Sequence, residues 1–432
     1  MLIAVEYTIQ ALQAVVKSLP VGTNFALLQF LWMLLQGSLL SSRGAVFPAL
    51  LASGFGIGTA RRCWAAMRYG VWHQADLIAA WQEFVKAQGH WQEHEHNGYR
   101  AVAVDLTGFW RPCLKGWWAK HFHALAGRAL PAVVFGVVVW VGQIGHQRVP
   151  LLKALVRAEQ EETTDASLIT KLLKQVGQQL QPQEIAIFDA GFKLAALQAA
   201  QIKQGVVRLA ANATAYRNYP AQYKGRGRYP VYGDIVRPLA RRHKDKHIPA
   251  TAPDFTTEFE HQGRLIEVKG WNDLILPGVV PDPNNETFDV YVFEDPLYQE
   301  PLVLATTLRL SASTSFGLYQ DRWPVEQVPL AAKQMIGAHR QFVFAYQSCQ
   351  RLPELAMIGG GILTYLAAVL PPIPTGFWDS HPKATPGRLR RLLAQADFPK
   401  DYPFLPQLRK KLSVTGHLPK GVAAHRRTRA MA

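Results

Sequence analysis

Apolar positions divide the chain into two regimes. Residues 1–100 read as helical, with a compact apolar run at 26–35. From residue 99 the pattern shortens. Tyr-Arg-Ala-Val-Ala-Val then Asp105 is a brief apolar strand that ends in an acid. Residues 129–140 and 149–156 supply further strand or helix material, and 165–180 carry helical periodicity with Lys171 and Lys174. Glu-Ile-Ala-Ile-Phe then Asp189 is a second short apolar strand ending in an acid, followed by a helix to about residue 204 and a strand at 206–210. Three strands followed by alternating helix and strand predict a mixed α/β sheet. Four strand-like runs at 255–260, 264–268, 290–293 and 302–307 predict a mostly β insertion. A helix is expected from 319 to about 349, and another short one at 388–395. The last dozen residues read as disordered.

Two apolar runs imitate membrane spans. The run at 130–144 is Val-rich and too short, which suits a buried strand. The run at 355–374 is long enough, but Gly359, Gly360, Gly361 and three late prolines interrupt it, which favours a buried helix. The pattern as a whole divides the chain into five parts: 1–95 helical, 96–211 α/β, 212–305 β-rich, 306–350 completing the α/β core, and 351–432 helical with a basic tail.

Composition narrows the class. The 432 residues are 49% hydrophobic and 11% aromatic, which excludes a disordered chain. Lys and Arg number 47 against 31 Asp and Glu, a formal net charge of +16, so a polyanionic partner is expected. Nucleic acid and an acidic membrane surface both qualify. Cys63, Cys113 and Cys349 are too scattered for a metal pair or a disulfide framework, which points to a reducing compartment. The first residues lack the basic region of a signal peptide.

The most informative stretch is 319–333. Tyr319, Arg322, Glu326 and Lys333 fall at i, i+3, i+7 and i+14. On an ideal helix they share a sector of roughly 60°. One acid between two bases suits a metal-phosphate site, the acid holding a cation and the bases holding phosphate oxygens. The competing reading is a solvated, salt-bridged helix. Pro324 fits a first helical turn; Pro329 removes a backbone donor and predicts a kink between Glu326 and Lys333.

Asp105 and Asp189 each stand where an apolar strand runs out. Acids on adjacent strands lie about 4.8 Å apart in backbone spacing. With Glu326 on a helix, this is the layout of a two-metal site, in which cations roughly 3.5–4 Å apart clamp a phosphodiester.

The spacing Tyr-(2)-Arg-(3)-Glu-(6)-Lys, with Trp323 after the Arg, resembles the YREK signature of DDE-type insertion-sequence transposases. The resemblance covers roughly residues 100–350. It implies an RNase H-like catalytic core interrupted by a mostly β insertion, with a helical N-terminal DNA-binding domain and a helical basic C-terminal region. Asp105, Asp189 and Glu326 would then be catalytic and hold two Mg²⁺, with Mn²⁺ able to substitute. Tyr319, Arg322 and Lys333 would hold DNA phosphates, and Trp323 would stack on a distorted base. The implied activity is DNA cleavage at element ends and strand transfer into a target. The implied partners are double-stranded terminal repeats and target DNA, bound by a homodimer in a prokaryotic cytoplasm, without a membrane. Two alternatives stand beside it: a transposase-derived DNA-binding protein without catalysis, and an RNase H-like nuclease specific for branched structures.

Other segments bear on nucleic-acid binding. Residues 223–247 interleave Arg226, Arg228, Arg241 and Arg242 with Tyr223, Tyr229 and Tyr232, which suits backbone phosphates and exposed bases; a solvated loop is the plainer reading. Trp271 fits either base stacking or burial. Gly54, Gly56 and Gly58 lack a preceding strand and a following Lys-Ser/Thr, so a nucleotide loop is disfavoured. A turn before a helix bearing Arg61 and Arg62 fits a DNA-reading helix-turn-helix or an ordinary bundle corner. His94 and His96 share one side of a strand and could bind a transition metal, although a polar connector is commoner.

Overall fold

The computed structural model describes residues 2–111, 113–116, 119–158, 165–223, 225–244 and 246–409. The basic tail beyond Arg409 and Lys224 lie outside this set. Six helices come first: α1 (Leu2–Val16), α2 (Thr23–Leu35), α3 (Ser38–Ser41), α4 (Val46–Ala52), α5 (Ile57–Tyr69) and α6 (Gln74–Gln88). The apolar run at 26–35 is the buried length of α2. Gly54, at φ 80°, and Gly56 form the turn between α4 and α5, Gly58 lies in the first turn of α5, and no strand precedes them.

The strands then build a mixed sheet. They are β1 (Gln92–Glu93), β2 (Glu95–His96), β3 (Tyr99–Trp110), β4 (Lys120–His123), β5 (Arg128–Ile144) and β6 (Gln147–Arg157). After α7 (Asp165–Gln179) come β7 (Glu184–Phe188), α8 (Leu194–Ala199) and β8 (Gly205–Arg208). The central order is β6-β5-β3-β7-β8. Strand β5 is antiparallel to β3 and β6, whereas β3, β7 and β8 run parallel. Side chains of β3 alternate between two cores. Ala101, Ala103 and Phe109 join the helical bundle, while Val102 and Val104 face α7 and α8.

The segment expected as a β insertion contributes β9 (Ala215–Arg217), β10 (Ile235–Val236), β11 (Arg241–His243), β12 (Lys246–Ile248), β13 (Phe255–His261), β14 (Arg264–Ile275), β15 (Phe288–Glu294) and β16 (Leu302–Thr306). Among the described residues, only β11 and β12 stand apart, as a two-stranded hairpin. The others extend the main sheet, because β16 pairs antiparallel with β8 and hands on to β15, β14, β9 and β10. Trp271 is buried on this extension and donates its Nε1–H to the Ala252 carbonyl at 3.0 Å, which removes it as a base-stacking platform.

The single helix expected over 319–349 is instead broken into pieces. Helix α9 (Ala312–Gln320) ends at Asp321, a 3-10 turn covers Trp323–Glu326, α10 spans Gln327–Leu330, and Ala331–Met335 is a π turn. Pro324 and Pro329 remove donors from the ladder, so the backbone cannot keep one regular hydrogen-bonding pattern. Gly337, at φ 89° and with Leu40 leaving no room for a β-carbon, then stops the helical path. Two helices follow, α11 (Tyr346–Val369) and α12 (Pro386–Leu393).

Helix α11 fills the middle of the helical layer. Leu352, Leu355, Ile358, Ile362 and Leu366 share one core with α2, α5, α6 and the sheet. Among the described residues it alone is long and apolar enough to cross a membrane, and 89% of its apolar window is buried inside the protein. That is the environment expected of a core helix. The N-terminal and C-terminal helices thus close over the same sheet face instead of forming separate lobes.

Candidate functional site

The strand expected to end at Asp105 runs on to Trp110, paired with β5 throughout, so Asp105 sits in the middle of β3, one residue past its last β7 pairing, Val104 opposite Phe188. Asp189 follows Phe188 directly. The parallel register therefore sets the two acids side by side where β7 ends. Asp105 has the same parity as Ala101 and Ala103, so it points toward the helical layer. The broken 319–335 segment packs across β3 and β5 and brings in the third acid.

The convergence is read from contacts. The Tyr319 hydroxyl donates to Asp189 Oδ1 at 3.3 Å. Arg322 places Nη1 4.0 Å from Asp189 Oδ2 and Nη2 3.0 Å from Glu326 Oε1. Lys333 Nζ donates to the Thr107 hydroxyl at 2.6 Å and lies over the Trp110 and Phe109 rings at 4.7 and 5.4 Å. Tyr319 and Arg322 therefore reach Asp189, Lys333 reaches β3 and Glu326 joins through Arg322, although the ideal-helix geometry that grouped them does not exist. Short turns of different pitch still keep their side chains on one side.

Charge at the site is uneven. Asp105 rises from its ordinary 3.8 to about 6, chiefly through burial, with the Glu326 and Asp189 charges adding to it. The Leu106 N–H and the Arg322 guanidinium oppose that rise. Lys333 falls to about 8 because burial outweighs its attraction to Asp105. The Tyr319 phenol is raised by burial and by Asp189. Arg322, whose side chain is only 6% exposed, is pushed down by burial but held protonated by Asp189, Tyr319 and Glu326. Asp189 and Glu326 keep 36% and 39% of their side chains exposed. The acids thus line an open edge with a buried cation beneath them.

Three carboxylates form a hard, all-oxygen donor set of the kind Mg²⁺ and Mn²⁺ accept. Burial, with the Glu326 and Asp189 charges adding to it, holds the Asp105 carboxyl near 6 against the Leu106 N–H and Arg322. A divalent cation would relieve that repulsion, and on this ground the residues fit one. Their oxygens are not drawn into a tight cluster, since Arg322 grips Asp189 and Glu326. Among the described residues, only His94, His96 and Asp321 bring three ligand atoms within 4.8 Å of one another.

Two residues at the site carried no flag in the sequence reading. Arg208 ends β8 and puts Nη1 4.0 Å from Asp189 Oδ1. Its signal was a charged residue closing an apolar strand, the same sign that marked the acids. Thr107, which anchors Lys333, had no sequence signal.

The remaining nucleic-acid candidates are mostly at the surface. Trp323 is 62% exposed with the Arg322 guanidinium 5.2 Å from its ring centre. Arg226 and Arg228 are exposed in the loop before β10, where Tyr223 and Tyr229 stack at 4.1 Å. Arg242 is exposed on the β11–β12 hairpin, and Arg241 donates to the Asn212 carbonyl at 3.0 Å. Arg61 and Arg62 are exposed on the first turns of α5, Arg62 bonding Thr59 at 2.9 Å.

The chain matches no protein-family model, and no curated protein is similar enough in sequence to count as a match.

Proposed function

We propose that this protein is a metal-dependent DNA-cleaving and strand-transferring enzyme of the DDE transposase kind, built on an RNase H-like core. The observation that carries the reading is the convergence of Asp105, Asp189 and Glu326, from two neighbouring parallel strands and a later helical segment, around one guanidinium. The central order β6-β5-β3-β7-β8, with β5 alone reversed, supports the core assignment. The net charge of +16 supports a DNA partner.

Asp105, Asp189 and Glu326 would hold two Mg²⁺, which supply nucleophile activation and charge neutralisation at the scissile phosphate. The chain's own groups do the positioning. Tyr319 orients the Asp189 carboxylate through its hydroxyl. Lys333, steered by Thr107 and confined by two rings, presents a cation beside Asp105 for a phosphate oxygen. Arg322 exchanges its grip on Glu326 for a DNA phosphate, which frees Glu326 to close on the cation site. Trp323, exposed beside it, offers a stacking face to a distorted base. Arg61, Arg62, Arg226, Arg228, Arg241 and Arg242 provide phosphate contacts farther out, and a homodimer would hold two DNA ends together.

The test is Mg²⁺-dependent nicking of duplex DNA carrying the sequences that flank the gene. Asp105→Asn, Asp189→Asn and Glu326→Gln are each expected to keep DNA binding and lose cleavage. Near-normal cleavage by any of the three variants removes that residue from the site. DNA binding by the wild-type protein without nicking in Mg²⁺ or Mn²⁺ supports a non-catalytic DNA-binding protein instead.

A further inference from the structure

A second polar cluster joins the exit of the helical layer to the signature segment. The His94 N–H donates to the Val141 carbonyl at 3.3 Å, which holds the β1–β2 stretch along β5. His94 Nδ1 then lies 2.5 Å from Asp321 Oδ2, and His96 Nε2 lies 3.0 Å from the same oxygen. The two rings meet edge to face at 4.5 Å. Asp321 is nearly sealed, with 4% of its side chain exposed. Its other oxygen accepts from Arg148 Nε at 3.1 Å.

Gly317 makes this approach feasible. A β-carbon there would sit 2.4 Å from His96 Nδ1, so a side chain in α9 would push the imidazole away from Asp321. A helix-interior glycine is unfavourable relative to alanine. Here it provides the bed on which His96 lies.

We propose that His94, His96 and Asp321 bind one first-row transition-metal dication of the Zn²⁺ class, at a site separate from the strand-end acids. Two imidazole nitrogens and one carboxylate oxygen suit Zn²⁺, and water completes a tetrahedron. Mg²⁺ prefers oxygen ligands alone and is disfavoured. Bonds of about 2.0–2.2 Å put tetrahedral ligand atoms roughly 3.3 Å apart. The 2.5 and 3.0 Å contacts therefore need to open by less than about 1 Å. Arg148 on Oδ1 acts as the outer partner that orients the carboxylate.

One contact must change. Arg148 Nη2 lies 2.6 Å from His94 Nε2, which suits a ring whose Nε2 accepts. Ligation through Nδ1 leaves a hydrogen on Nε2, so that arm of the guanidinium turns outward. The side chain is 37% exposed, and Gln143 Oε1 already accepts from Nη1 at 3.1 Å. Asp321 sits between Tyr319 and Arg322 in sequence, so a bound ion ties the β1–β2 stretch to the segment that presents both.

The experiment uses the full-length protein stripped with EDTA and titrated with Co²⁺, followed by the visible absorption of tetrahedral cobalt. One equivalent is expected to saturate the signal, Zn²⁺ to bleach it, and excess Mg²⁺ to leave it unchanged. His96→Gln and Asp321→Asn are expected to lose the signal, and Asp105→Asn to keep it. No saturable one-equivalent signal in the folded wild type overturns the proposal, whatever the variants do. So does a signal that survives in both His96→Gln and Asp321→Asn, or one that Asp105→Asn abolishes. The outcome is independent of DNA cleavage, so either reading can fail without the other.

Discussion

Asp105 and Asp321 are both largely buried acids, yet their carboxyls move in opposite directions. Burial pushes both up. Around Asp105 the Leu106 N–H and Arg322 only partly offset burial, Glu326 and Asp189 add to it, and the result is a carboxyl near 6. Around Asp321, hydrogen bonds from His96 and His94 overcome burial and bring the carboxyl below its ordinary value. Burial sets the penalty, but the partners decide which protonation state the fold prefers. At one acid the favourable partners fall short of the burial penalty, and at the other they exceed it.

The contrast can be tested at both sites. The largest effect is expected on catalysis: removing any strand-end acid should cost about 4 kcal/mol of transition-state stabilisation, roughly a thousandfold in cleavage rate. Next comes Asp321→Ala, which leaves Arg148 and two imidazoles facing a void. It should destabilise the metal-free protein by about 3 kcal/mol, read as a fall in urea midpoint.

Asp105→Asn should do the reverse and stabilise the metal-free protein at pH 7 by about 2 kcal/mol. Between about pH 4 and 6 the folded Asp105 binds a proton that the unfolded chain has released. Wild-type stability from this group therefore falls as pH rises through that window, and the variant should lose the slope. The Asp321 contribution is instead full above pH 3.8 and lost as pH falls below it. Urea titrations in EDTA at several pH values distinguish the two.

The smallest effect is Gly317→Ala. The clash with His96 should outweigh the helical gain of alanine by about 1 kcal/mol, with the loss confined to His96 and Asp321. Imidazole shifts in NMR spectra would show it.

Both aspartates were legible because each follows an apolar run, but only Asp189 follows the end of its strand; β3 continues past Asp105 because Leu106–Trp110 keep pairing with β5. The grouping of Tyr319, Arg322, Glu326 and Lys333 was also visible, but for an incomplete reason. Prolines broke the assumed helix, and what keeps the four together is packing over β3 and β5. Asp321 went unread because, between Tyr319 and Arg322, it looks like an ordinary polar helix residue; its partners lie 225 and 227 positions away. How the strands of residues 212–305 join the rest was out of reach for a similar reason. Strand periodicity shows that strands form, whereas the edge they join depends on long-range pairing.

The β8–β16 junction has a mechanical consequence. A lobe on a flexible tether can rotate freely, but strands hydrogen-bonded into a neighbouring edge behave as a cantilever. A load on the Arg226–Arg228 loop, which β9 and β10 hold in the shared ribbon, would be passed along it toward Arg208, the last residue of the strand that anchors it.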